Sequence, residues 1–198
     1  QSSAVKVAYP FEVGSDIVKS VKLPGKHNLD NALAAIAAVA CYKNISPDEY
    51  LRNSQDEQKA EELGIRPGVG IAAIQIGIKK RMCAVLVYDY DDEGEICGEM
   101  AYALVNPRII SHSERMAYLT DGEGCLSVND EHQGYVPRYA KVKIKAFDAL
   151  TNQDITITAR GYEAIVFQHE LDHLDGMLFL DRIDKKNPFK DEDKMRGI

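Results

Sequence analysis

The residues in this chain best suited to chemistry lie in the run His169-Glu170-Leu171-Asp172-His173. Four residues are about one helical turn, so the two imidazoles project from one face and can share a metal ion. Glu170, beside them, is placed to handle a proton. On this run alone a pair of satisfied core histidines remains an open reading. A catalytic metal site usually takes three protein ligands and leaves one position for water, so a third donor is needed. The extended protease pattern wants a His at position 179, where Phe179 stands and cannot bind a metal. Glu192 lies at a tolerable distance but sits in a charged tail with no apolar face to hold it. Cys125, in Glu123-Gly124-Cys125-Leu126-Ser127, is flanked by glycine and a carboxylate in a polar run. A metal next to it would deprotonate its thiol. Cys41 and Cys83 read instead as small buried hydrophobes, and Cys97 falls in an acidic stretch without a role. The segment Gly68-Val69-Gly70-Ile71-Ala72-Ala73-Ile74-Gln75 leaves room for a ligand against the backbone, and Gln75 offers an amide donor. It is not a phosphate loop, because no Gly-Lys-Ser/Thr follows.

The elements that must hold these residues follow from periodicity. A helix over Tyr162–Leu174 carries the His pair and is apolar nearly all round, with Phe167, Leu171 and Leu174 on one face. Such a helix is buried. Arg81–Tyr88 reads as a buried strand, Asp89–Glu99 as an exposed acidic loop, and Ala101–Ile110 as a strand broken by Asn106-Pro107. Tyr139–Asp148 and Ile155–Arg160 alternate and predict a hairpin, with Cys125 between strands. Before them, residues 4–8 and 16–23 read as short strands and Asn31–Tyr42 as an Ala-rich helix. Pro47 opens a further helix that breaks near Asn53 and resumes over Glu57–Leu63. The tail from Lys185 reads as surface coil or frayed helix. Strands dominate around one central helix, which predicts an α+β fold with mostly antiparallel sheets.

Length and charge set the frame. The chain has 198 residues, enough for one domain or one domain with a short appendage. Lys and Arg number 24 against 31 Asp and Glu, a net charge of −7, which argues against a strongly basic nucleic-acid binder. Four cysteines without a CxxC pair, and no leader-like start, predict reduced thiols in a cytoplasmic protein. The longest apolar run, Ala32–Cys41, is about half a membrane span, so no transmembrane helix is expected.

Together and in this order, the segments 68–75, 123–127 and Gln168–His173 resemble the peptide deformylases. The resemblance runs from about Asn53 to Phe189 and is nearest the longer subclass of Gram-positive bacteria. Ile71 and Ile74 depart from the usual Leu and Pro. The resemblance implies removal of the N-formyl group from N-formylmethionyl nascent peptides, with a water activated at a metal as nucleophile. It implies Cys125, His169 and His173 as metal ligands and Glu170 as general base and acid. Gln75 and the Leu126 backbone N–H would hold the oxyanion. Gly70 would bind the peptide backbone, while Val69, Tyr162, Ile165 and Val166 would receive the methionine. One divalent ion is implied, natively Fe(II), with Zn, Ni or Co able to replace it. A transient ribosome contact, no direct sequence-specific nucleic-acid partner and no membrane partner are also expected.

Residues 22–52 do not resemble a deformylase start. Leu23-Pro24-Gly25-Lys26-His27-Asn28-Leu29-Asp30-Asn31-Ala32-Leu33-Ala34-Ala35 resembles a Mur ligase segment, without that family's phosphate loop or magnesium carboxylates. The expected organisation is therefore an atypical segment 1–52 and a catalytic domain 53–198. The alternatives are a non-catalytic or impaired chimera with a Mur-ligase-like N-terminal piece, or a zinc peptidase using His169, His173 and Glu192.

Overall fold

Strand β2 (Met82–Tyr90) explains the layering. Six consecutive residues, Met82–Val87, are buried, which needs cover on both faces of the sheet. The computed structural model, which describes residues 47–63, 68–76, 78–128 and 132–198, supplies both covers. Cys83, Val85 and Val87 face helix α3 (Gly161–Leu174) through a core that includes Phe167 and Leu171. Ala84 and Leu86 face Leu51 of helix α1 (Pro47–Gln55). A second helix, α2 (Glu57–Leu63), follows α1 after a break at Asp56, three residues beyond the expected one. The expected strands at 4–8 and 16–23, the helix Asn31–Tyr42, Cys41 and the Mur-like segment lie outside the described residues. Helix α1 runs through the expected 52/53 boundary.

The main sheet has five antiparallel strands in the order β1-β2-β3-β6-β7. These are β1 (Gly70–Ala72), β2 (Met82–Tyr90), β3 (Ile96–His112), β6 (Lys141–Asp148) and β7 (Gln153–Arg160). A smaller sheet is ordered β5-β4-β8, from Arg138–Tyr139, Met116–Tyr118 and Arg196–Gly197. Strands surround one buried helix, so the α+β expectation holds.

Three expectations need correction. The acidic loop is shorter than Asp89–Glu99, because β2 and β3 extend into it and leave only a tight turn in which Asp91 accepts backbone N–H bonds from Glu93 and Glu95. Asn106-Pro107 does not break β3. The register shifts between Val105 and Arg108, and Asn106 takes a positive φ of 52°, so a bulge absorbs the proline. The tail is not merely coil, since β8 pairs in parallel with β4.

Candidate metal centre and peptide cavity

Helix α3 is fixed from several sides before any metal is considered. Gln168, buried within it, exchanges two bonds with Tyr139: its Oε1 accepts from the backbone N–H and its Nε2 donates to the carbonyl, both at 2.9 Å. The side chain thus pairs with β5 as a strand would. Ile165 and Phe167 are almost fully enclosed. This packing sets which face of the helix turns inward, and it leaves His169 and His173 facing the loop between β4 and β5.

That loop presents Cys125. Its Sγ lies 3.2 Å from His173 Nε2, which lies 3.2 Å from His169 Nε2. The three donor atoms all fall within 4.8 Å of one another. Ligands about 2.1 Å from a tetrahedral ion stand about 3.4 Å apart, so the set fits one divalent metal. Burial alone would raise the Cys125 thiol, but hydrogen bonds with His169 and His173 outweigh it and bring it to about 5. The Ser127 N–H adds a bond to the sulfur at 3.3 Å. The sulfur is therefore a thiolate at neutral pH, the form that binds metals. Burial disfavours charge on His169, yet its bonds to Cys125 and Glu123 raise it to about 10. A metal cation in the same place would replace that proton.

Glu170 sits beside the donors. Burial raises its carboxyl to about 7, against the pull of His169 and His173. Its Oε2 is buried and has no hydrogen-bond partner among the described residues. Such an atom is costly unless a ligand or a proton meets it. Position 70 is glycine for a nearby reason: a Cβ there would lie 2.7 Å from Glu170 Cδ.

Val69, Gly70, Gln75, Cys125, Leu126 and Tyr162 line one cavity of about 980 Å³. So do Ile165, Val166, His169 and Glu170, whereas His173 lies behind it. Gln75 is held at both ends, its Oε1 accepting from the Ala72 N–H at 2.7 Å and its Nε2 donating to Ser127 Oγ at 3.1 Å. The structure does not bring Glu192 to the metal donors. Its Oε1 instead lies 3.5 Å from the hydroxyls of Tyr118 and Tyr135, which removes the geometric basis for the zinc peptidase alternative.

Several residues here were not assigned roles from sequence. Glu123 Oε2 bonds His169 Nδ1 at 2.8 Å, which fixes the ring so that Nε2 faces the other donors. Arg138, fully buried, grips both oxygens of Glu123 at 2.8 Å and reaches Asp172 at 2.5 Å. Arg182 holds Asp172 from the other side at 2.5 and 2.6 Å. Phe179 stacks on His169, and Phe189 packs edge-on to Tyr135 in the cavity wall. The charge alternation of Glu123, Arg138, Asp172 and Arg182 is visible in sequence only as isolated ions.

Comparison with known proteins places this arrangement. A profile of the family described as polypeptide deformylase matches residues 42–189. "Peptide deformylase 2" of Bacillus subtilis is 52% identical over 150 residues, covering 76% of this chain and 78% of that protein. "Peptide deformylase" of Oceanobacillus iheyensis is 50% identical over 141 residues, 71% of this chain and 74% of that protein. Among solved structures, a probable peptide deformylase from Synechococcus phage S-SSM7 has a TM-score of 0.51 at 34% identity, covering 68% of this chain and 81% of its own. A class I type b peptide deformylase from Acinetobacter baumannii, bound to Met-Ala-Ser, has a TM-score of 0.50 at 37% identity, covering 69% and 83%. With a family match over most of its length and relatives at half identity, this chain belongs to the polypeptide deformylase family.

Proposed function

We propose that this chain hydrolyses the N-formyl group of N-formylmethionyl nascent peptides, using Cys125, His169 and His173 to hold one divalent metal. The observation that carries the reading is the meeting of that donor set with a buried carboxylate oxygen that has no partner among the described residues. The metal, when bound, lowers the pKa of a water and polarises the formyl oxygen. Glu170 takes the attacking water's proton and later delivers it to the departing amine; a pKa raised to about 7 suits both tasks. Gln75 Nε2 and the Leu126 backbone N–H stabilise the developing oxyanion, each worth about 3 kcal/mol.

The substrate enters as an added strand. β1 is an edge strand paired only with β2 among the described residues, so its outer side can accept a peptide backbone at Gly70. Val69, Ile165 and Val166 give the methionine side chain apolar cover, with half-exposed Tyr162 at the rim. The Met-Ala-Ser held by the Acinetobacter relative is the class of product this reaction leaves.

One thiolate and two imidazoles suit several divalent ions; on the family resemblance we propose Fe(II) as the native ion, with Zn, Ni or Co able to replace it. No helix among the described residues is long and apolar enough to cross a membrane. Because the formyl group belongs to newly made chains, we place the enzyme in the cytoplasm, in transient contact with the ribosome. The test is formate release from formyl-Met-Ala-Ser by anaerobically purified protein, alongside elemental analysis. Glu170→Ala should keep the metal and lose turnover by about a hundredfold or more, whereas Cys125→Ala should lose both. Full activity of Cys125→Ala would refute the assignment.

A further inference from the structure

The outer face of the main sheet is divided. Helix α1 covers its β1–β2 half through Leu51, Ala84 and Leu86. The β6–β7 half carries side chains of the opposite kind. In β6, Val142, Ile144 and Ala146 point into the core, while Lys141, Lys143 and Lys145 alternate with them onto the outer face. The register adds two more cations to that face, with Arg160 directly opposite Lys141 and Arg108 directly opposite Lys145. Ser111, Thr156 and Thr158 fill the remaining paired positions. None of the five cations has an ion-pair partner among the described residues. At about 3.3 Å per residue and 4.8 Å between strands, they occupy a patch about 13 Å long and 10 Å wide.

Fold stability does not account for this cluster. Like charges directly opposite in a sheet are destabilising, and two such pairs occur here. Lysines often guard edge strands against unwanted pairing, but β6 is an inner strand between β3 and β7. The whole chain carries −7, so the cations are gathered here against the general charge. A cluster that repels itself is relieved by an external polyanion, whose approach also releases counterions.

We propose that the solvent face of β3, β6 and β7 docks the phosphate backbone of RNA. The choice of RNA as the polyanion rests on the proposed function, because formylated chains emerge from an RNA-rich particle. None of the five residues lines the peptide cavity, so docking and hydrolysis can proceed together.

The test compares the metal-loaded full chain with the triple variant Lys141→Thr/Lys143→Thr/Lys145→Thr, threonine being well suited to strands. Binding is read by co-sedimentation with purified bacterial ribosomes and by anisotropy of a fluorescein-labelled RNA hairpin between about 50 and 200 mM KCl. The wild-type chain should bind both, and more weakly as salt rises. The variant should bind at least about tenfold more weakly at the lowest salt, with a slope of log affinity against log salt smaller by about 2 to 3. Its thermal midpoint should be no lower than the wild type's, since two like-charge pairs are removed, and its turnover of free formyl-Met-Ala-Ser should match the wild type. Equal binding by the two proteins overturns the proposal. So does a wild-type chain that ignores RNA and binds phosphatidylglycerol vesicles instead. Peptide turnover in the same samples separates this outcome from failure of the hydrolase reading, because a chain that binds RNA without releasing formate supports the docking face and refutes only the hydrolysis.

Discussion

A single methyl group at position 70 would reach into the Glu170 carboxylate. Glycine there lets β1 approach the proposed proton carrier, and an alanine would meet Glu170 Cδ at 2.7 Å. Either the strand or the carboxylate must then shift. Displacements of about 1 Å at a reacting group cost about a hundredfold in rate. Gly70→Ala should therefore keep its metal, measured by elemental analysis, and lose about tenfold to a hundredfold in kcat. Unchanged kcat would mean that the position of Glu170 is not critical. Cys83 is a contrast at the same scale. Burial pushes its thiol well up, so it is an inert packing residue although it lies in the same core as the metal helix.

At the scale of elements, helix α3 and the loop bearing Cys125 are joined by the charge chain Glu123, Arg138, Asp172 and Arg182. Breaking a buried ion pair from one side strands the other charge and costs about 3–5 kcal/mol. Arg138→Met should lower unfolding stability by about that amount, read from urea denaturation, because Glu123 and Asp172 both lose their buried partner. The same contacts set a pH dependence. Burial alone would raise Asp172, but bonds from Arg182 and Arg138 hold it below the ordinary carboxylate value. A depressed folded pKa contributes stability above the unfolded value of about 3.9, and that contribution is lost as pH falls through the folded value. The urea midpoint should therefore fall below about pH 4. Asp172→Asn should start less stable and show a shallower acid loss, and an unchanged acid profile would contradict this account.

Across the whole molecule, a metal at Cys125, His169 and His173 would tie the β4–β5 loop to α3, which itself rests on the five-stranded sheet. Binding only the folded form stabilises it by about 4 kcal/mol when free metal is a thousand times the Kd. Removing the metal with a chelator should lower the thermal midpoint, and adding Zn should restore it. A midpoint indifferent to both would argue that the donor set binds no metal. The sheet's two halves divide other tasks, since one is covered by α1 and the other leaves its cationic face to solvent.

Much of this protein was legible in its residues alone. The turn-spaced His pair, the Gly-flanked Cys125 and the resemblance of three ordered segments were enough to name the family and to propose the donor set. The apolar run of β2 and the alternation of β6 and β7 were equally readable, because burial of one or both faces writes itself directly into period. Local pattern failed where pairing decided the outcome. A bulge kept β3 whole through Asn106-Pro107, and β8 found a partner in β4 that lies far away along the chain. The support of the candidate metal ligands was equally hidden. Glu123 and Arg138 are 15 residues apart, and Arg138 and Asp172 are 34 apart. Charges so separated acquire partners only when the chain closes on itself. The sequence, through its motifs and the family resemblance they carry, therefore determined which residues are candidates to bind a metal. Only the tertiary structure decided which buried charges orient them, because a desolvated ion is tolerable only beside the partner that folding brings to it.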